Sequence, residues 1–223
     1  WAQQAKIVAS TPGSNDFFGW SVAISGDTVV VGARGEDEDA SEGNTASAAG
    51  SAYVFTRSGT SWSQQQKIVA SDRAAGDYFG YSVDISGETI IVGANLEAHD
   101  AAGNNSISNA GSAYVFTRSG STWSQQQKIV ASDRAEGHRF GRRVAIHDDV
   151  AVVGAPGDGT DDKGQAYVFT RSGTTWTERQ VLAATDGSAA DRYGSSVAVY
   201  KYFIAIGARD DDTDEGSVYL YNS

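Results

Sequence analysis

The chain has 223 residues, a net charge of −11 and neither Cys nor Met, so disulfide scaffolds and thiolate metal sites are excluded. The acidic balance disfavours nucleic acid and anionic membrane surfaces, and no apolar run approaches the roughly 20 residues that span a bilayer. With 26 Gly, 2 Pro and many Val, Ile, Thr, Tyr and Trp, the composition favours strands joined by turns.

The first segment, WAQQAKIVAS from Trp1, is a weaker copy of WSQQQKIVASDRA, which stands at 62–74 and again at 123–135. Four anchors recur along the chain. They are a Trp (1, 62, 123, 176), an aromatic-Gly pair ending at Gly19, Gly80, Gly141 and Gly194, a Gly-Ala pair beginning at Gly32, Gly93, Gly154 and Gly207, and a Tyr (53, 114, 167, 219). Only the stretch between Gly-Ala and Tyr varies in length. Packed strands hold spacing constant, and surface loops do not.

Each unit carries four strand-like runs; in the second they are FGYSVDIS, TIIVGAN, SAYVFTR and TWSQQQKIVA. The first alternates, with Phe79, Tyr81, Val83 and Ile85 on one face and Gly80, Ser82 and Asp84 on the other. SGET and RSGST between runs are hairpin turns. Four antiparallel strands repeated radially predict an all-β fold, a four-bladed β-propeller. The blades fall at about 17–70, 78–131, 139–184 and 192–223. The last unit has three strands, so residues 1–9 are expected to supply its fourth, closing the ring in a monomer with adjacent termini. A start at Trp1 with no Met fits a mature product or an excised domain.

The signatures DYFGYSVDISGETIIVGAN and RRVAIHDDVAVVGAPGDG, followed by GSAYVF or GQAYVF, resemble FG-GAP repeats. These are the propeller repeats of integrin α-subunit heads and of many bacterial extracellular proteins. Only the third unit has the literal Gly-Ala-Pro, and the fourth has Tyr193-Gly194 in place of Phe-Gly. The resemblance implies an extracellular, non-catalytic binding or adhesion module for a glycan or protein surface. The alternatives are a small secreted hydrolase or lyase acting on polysaccharide, or a spacer within a larger surface protein. The resemblance also implies calcium in the loops after Gly-Ala, where hard oxygen ligands would alternate along a turn. Asp210, Asp212 and Asp214 of the fourth unit, and Asp158 and Asp162 of the third, each match half of such a site.

The break in the repeat points to a second candidate. The third unit reads AEGHRFGRRVAIH where the second reads AAGDYFGYSVDIS. His138, Arg139, Arg142 and Arg143 are thereby gathered in an otherwise acidic chain. The first strand of a blade lies nearest the axis, where Trp20 and Tyr81 occupy the same column as Arg142. Basic groups beside aromatic rings suit an anion, a carboxylate or an acidic sugar. Strand alternation allows only one of Arg142 and Arg143 to face the channel. Both also suit ion pairing with neighbouring blades. No active-site motif is present.

Overall fold

The computed structural model describes residues 1–157, 163–211 and 215–222. Among them fifteen strands form. They are β1 (Phe18–Ser25), β2 (Thr28–Ala33), β3 (Ser51–Ser58), β4 (Ser61–Ile68), β5 (Phe79–Ser86), β6 (Thr89–Ala94), β7 (Ser112–Ser119), β8 (Thr122–Ile129), β9 (Arg143–His147), β10 (Val150–Ala155), β11 (Gln165–Ser172), β12 (Thr175–Leu182), β13 (Tyr193–Tyr200), β14 (Phe203–Ala208) and β15 (Ser217–Asn222). Each repeat folds into one antiparallel meander: β1–β4, β5–β8, β9–β12 and β13–β15. Inner strands stack in chain order, β1 on β5, β5 on β9 and β9 on β13. The chain is all-β, with the fold of a four-bladed β-propeller.

A meander alone leaves both its faces wet, and the neighbouring blade covers them. Val30, Ala52, Val54 and Ile68 of blade 1 pack on Phe79, Val83, Ile85, Val92 and Tyr114 of blade 2. Matching residues repeat this core between blades 2 and 3 and between blades 3 and 4. Glycine sets the approach distance. A Cβ on Gly93 would lie 1.9 Å from the Gly141 carbonyl oxygen of the next blade, so only glycine fits. Polar groups tie the same seams. Trp123 and Trp176 are buried, and their indole N–H groups donate 3.0 Å bonds to Gln65 and Gln126 of the preceding blade. The tyrosines at 114, 167 and 219 donate to Asp72, Asp133 and Asp186, which recur in the turns between blades. Trp123, Trp176 and these aspartates are thus packing and hydrogen-bonding elements of the frame.

Two expectations are corrected. In β5 the register shifts between Phe79 and Ser82. This bulge releases Tyr81 from the buried face that strict alternation gave it. The second correction concerns closure by residues 1–9. They form no strand, and the fourth sheet has three strands. The segment lies against blade 1 as a fourth strand does against the next blade, with Gln4 accepting from the Trp62 indole at 3.0 Å and the Ser10 N–H donating to Gln64 at 3.0 Å. β13 makes no contact with β1 comparable to those between the other inner strands. The seam between blades 4 and 1 is therefore open. Val22 and Ile24 are 66% and 65% exposed, whereas their counterparts Val83 and Ile85 are 8% and 5% exposed.

Candidate functional site

The turn that leads into each blade places a bulky side chain in the left-handed region. Phe17, Tyr78, Arg139 and Arg192 have φ of 55°, 57°, 56° and 54°. Such a conformation is uncommon for large side chains and has to be held by its surroundings. Here a tight turn holds it: the carbonyl of each accepts the N–H of the residue three on, at Trp20, Tyr81, Arg142 and Ser195. These two columns meet a third, the residue after Gly-Ala, which is Arg34, Asn95, Pro156 or Arg209.

In blades 1 and 2 the first two columns are aromatic and surround the Arg34 cation of the third. The Arg34 guanidinium lies 3.9 Å from the Trp20 ring, 4.6 Å from Phe17 and 5.0 Å from Tyr78. Trp20 in turn packs on Tyr81, ring centres 5.5 Å apart.

In blades 3 and 4 the same columns carry four arginines, Arg139, Arg192, Arg142 and Arg209. Arg139, Arg142, Arg143, Arg192 and Arg209 line a cavity of about 310 Å³ with Ser195 and Ser196. Asp210 accepts from Arg192 at 3.0 Å and from Arg209 at 3.2 Å. Among the described residues, Arg139, Arg142 and Arg143 form no ion pair. Tyr81 reaches the cavity's edge, its ring centre 5.6 Å from the Arg142 guanidinium and 6.0 Å from that of Arg143. Burial holds the Arg142 guanidinium below its ordinary pKa; Tyr81 opposes this, while Arg143, Arg139 and Arg209 add to it. The cavity is thus an electropositive pocket in an acidic protein.

The pocket exists because the seam changes chemistry here. Ser21 donates to the Gly80 carbonyl at 2.9 Å across the first seam, and Ser82 to that of Gly141 at 2.8 Å across the second. Arg143 stands in that serine's place at the third seam and turns to the Arg142 carbonyl, 2.8 Å away. Both arginines line the cavity, against the alternation expected of them. β9 begins only at Arg143, and Arg142 belongs to the preceding turn, its N–H bonded to the Arg139 carbonyl.

His138 does not line the pocket. It is buried in the turn before blade 3, in the column of Asp16, Asp77 and Asp191, which accept backbone N–H groups of Gly13, Ala74 and Ser188. Arg192, Arg209, Phe17, Arg34 and Tyr78 join the site although no single repeat marks them. Their signal is positional: Arg192 shares a column with Arg139, and Arg209 shares one with Arg34. Of the residues expected to hold calcium, Asp158, Asp162, Asp212 and Asp214 lie outside the described residues, and Asp210 faces the two arginines. Among the described residues, no group of three or more His, Asp or Glu is placed to hold a metal ion.

No curated protein matches the chain. The family model for the FG-GAP repeat matches residues 1–55, 62–116, 123–169 and 176–221, one match to each unit. With four repeats in one register across most of its length, the chain belongs to the FG-GAP repeat family.

Proposed function

We propose that the protein binds an acidic glycan, holding a carboxylate or sulfate in the arginine pocket and the adjoining sugar rings on the aromatic surface beside it. FG-GAP repeats form propeller-type binding or adhesion modules typical of extracellular or surface proteins. Among the described residues, no helix is long and apolar enough to cross a membrane. A secreted or surface-exposed setting belongs to this proposal.

The observation that carries the reading is the cavity wall of five guanidinium groups with one carboxylate among them. Like charges lining one cavity repel, and a bound anion relieves the repulsion. Guanidinium forks match carboxylate and sulfate oxygens, each charge-assisted bond contributing roughly 1.5–3 kcal/mol. Arginine stays protonated at neutral pH, so the wall offers anion binding rather than proton transfer. Tyr81 at the pocket's edge and Trp20 beside it, ring centres 5.5 Å apart and planes inclined by 57°, offer an aromatic surface suited to the apolar face of a sugar.

The test is a calorimetric titration with an oligouronate and with a neutral oligosaccharide of equal length. We expect binding of the acidic sugar alone, weakening as salt rises from 50 to 500 mM. Equal binding of both sugars, or none of either, would remove the proposal.

A further inference from the structure

We infer that a second cavity, at the seam between blades 1 and 2, is a subsite for an uncharged sugar unit of the same ligand whose anion lies among the arginines. The inference rests on the acidic-glycan reading above and narrows it to a glycan of mixed acidic and neutral units.

Arg34 differs from the other arginines that lie over a Trp ring. Arg57 over Trp62 pairs with Asp27, Arg118 over Trp123 with Glu88, and Arg171 over Trp176 with Asp149. Among the described residues, Arg34 has rings alone. Rings take up charge at the flat faces of a guanidinium and leave its N–H edge unused. The Nε of Arg34 is buried without a hydrogen-bond partner among the described residues. A buried donor without an acceptor costs free energy, which an acceptor on a ligand recovers.

Arg34 lines a cavity of about 190 Å³ together with Ser14, Asn15, Asp37, Ser47 and Tyr78. Gly35 belongs to the same wall, and a Cβ there would lie 2.0 Å from the Asn15 carbonyl oxygen. The wall is fixed by its own bonds. The Ala48 N–H donates to Asp37 Oδ1 at 2.7 Å, and the Tyr78 N–H donates to the Ala48 carbonyl at 3.1 Å. A carboxylate has about four lone-pair sites, so Asp37 keeps acceptor capacity for a ligand.

The repeat breaks at this wall, as it does at the arginine pocket. Ser14, Asn15, Gly35 and Asp37 of the first unit correspond to Ala75, Gly76, Leu96 and Ala98 of the second. Arg34 corresponds to Asn95, which is 2% exposed. The apolar core beneath is alike at both seams, so packing does not account for the change.

Charge decides what the cavity takes. The arginine pocket sets five guanidinium groups against one carboxylate. Here Arg34 is matched by Asp37, and no net charge draws a second anion. A sugar hydroxyl both donates and accepts. It suits a wall that offers a guanidinium, a carboxylate, hydroxyls and an amide, with the Tyr78 ring as its apolar side. The two cavities share one surface. Arg34 lies against Trp20, Trp20 against Tyr81, and Tyr81 against Arg142. A glycan whose acidic unit enters the arginine pocket crosses these rings and sets a neutral unit beside Arg34.

The test is a calorimetric titration with two probes of equal charge. One is a disaccharide of glucuronate and one neutral hexose, and the other a pentasaccharide of glucuronate and four neutral hexoses. We expect the pentasaccharide to bind at least about tenfold more tightly, the gain of two or more hydrogen bonds. The Ser14→Ala, Asn15→Gly variant carries the second unit's residues and gives glycine to a position with φ of 71°, so it should fold. It should weaken the pentasaccharide at least about fivefold and leave the disaccharide unchanged. Arg34→Asn, again the second unit's residue, should weaken the pentasaccharide as well. Equal affinity of the two probes for the wild type would overturn the inference and leave the arginine pocket standing. So would a pentasaccharide affinity unchanged in both variants, or binding of the oligouronate with neither probe bound. Failure of all three sugars to bind would remove the acidic-glycan reading and this inference with it.

Discussion

The two halves of the propeller solve one structural position in opposite ways. Around the Phe-Gly turns, blades 1 and 2 surround one cation, Arg34, with Phe17, Trp20 and Tyr78. Blades 3 and 4 set five arginines around a cavity with one carboxylate among them. The turn is the same in both, with its left-handed residue and its three-residue hydrogen bond. The first half satisfies its charge internally, through ring faces that attract a guanidinium. The second leaves charge facing open space. A frame built from repeated seams can therefore change what it binds without changing how it folds.

The largest effect should come from the frame that both halves share. A methyl group at Gly154 would lie 2.1 Å from the Gly194 carbonyl oxygen, so Gly154→Ala must push blades 3 and 4 apart. We expect a loss of about 3 kcal/mol or more in a denaturant melt, as for overpacking against backbone that cannot yield. Gly207→Ala, the same position at the open seam, would meet chiefly the Ser196 hydroxyl, which can turn away. It should cost about 1 kcal/mol or less. Equal losses would mean that blade 4 is as enclosed as blade 3.

Acidity separates blade 2 from blade 3 next. Burial pushes the Asp77 carboxyl up to about 7; the Ala74 N–H and Lys128 oppose this, and Glu97 and Asp72 add to it. His138 holds that column in blade 3. A carboxyl raised from its ordinary 3.8 binds its proton more tightly in the folded chain than in the unfolded one. Its contribution is complete below about pH 4 and is lost as pH rises through 7, with a slope of up to about 1.4 kcal/mol per pH unit from this group alone. Thermal melts between pH 4 and 8 should be flatter for Asp77→Asn than for the wild type. Parallel curves would assign the slope to other groups.

Trp20→Ala tests the aromatic half. It removes the nearest of three rings from the Arg34 guanidinium and exposes the Tyr81 face. The expected loss is about 1–2 kcal/mol by urea titration, the size of a partly desolvated cation–π contact with its packing. No loss would mean that Phe17 and Tyr78 suffice.

Arg143→Ser has the smallest expected effect on stability and the opposite sign. The change returns the serine of the first two seams, which there donates to the next blade's glycine carbonyl. A gain of about 0.5–1.5 kcal/mol is expected, the net value of one hydrogen bond, together with weaker anion binding. A loss of stability would mark Arg143 as half of a structural ion pair.

Most of the frame was legible because packing fixes spacing. The interval from Trp to Gly and from Gly to Gly-Ala is constant, and each interval became a strand-and-turn unit that docks on its neighbour. Trp123 and Trp176 and the aspartates at 72, 133 and 186 fill the seams at one register of the repeat. Closure was not legible. Residues 1–9 meet blade 1 through Gln4 and Ser10 as Gln65 and Ser71 meet the next blade, yet they do not pair with β15. The pocket was half legible. Arg139, Arg142 and Arg143 break the repeat within five residues of one another, whereas Arg192 and Arg209 are separated in sequence and meet them only across the third seam. The pairing of Arg142 with Arg143 on one cavity was hidden because β9 starts late, which cancels the alternation that a full-length strand imposes.

The central claim is that the arginine half is a binding site rather than an internal counter-charge, and Arg142→Ser decides it. The serine is what blade 4 carries in that column, so the turn accepts it. Calorimetric titration of the variant with an oligouronate, against the wild type at the same ionic strength, should show affinity lower by at least about tenfold, the loss of one charge-assisted bond. Affinity unchanged within twofold would contradict the account.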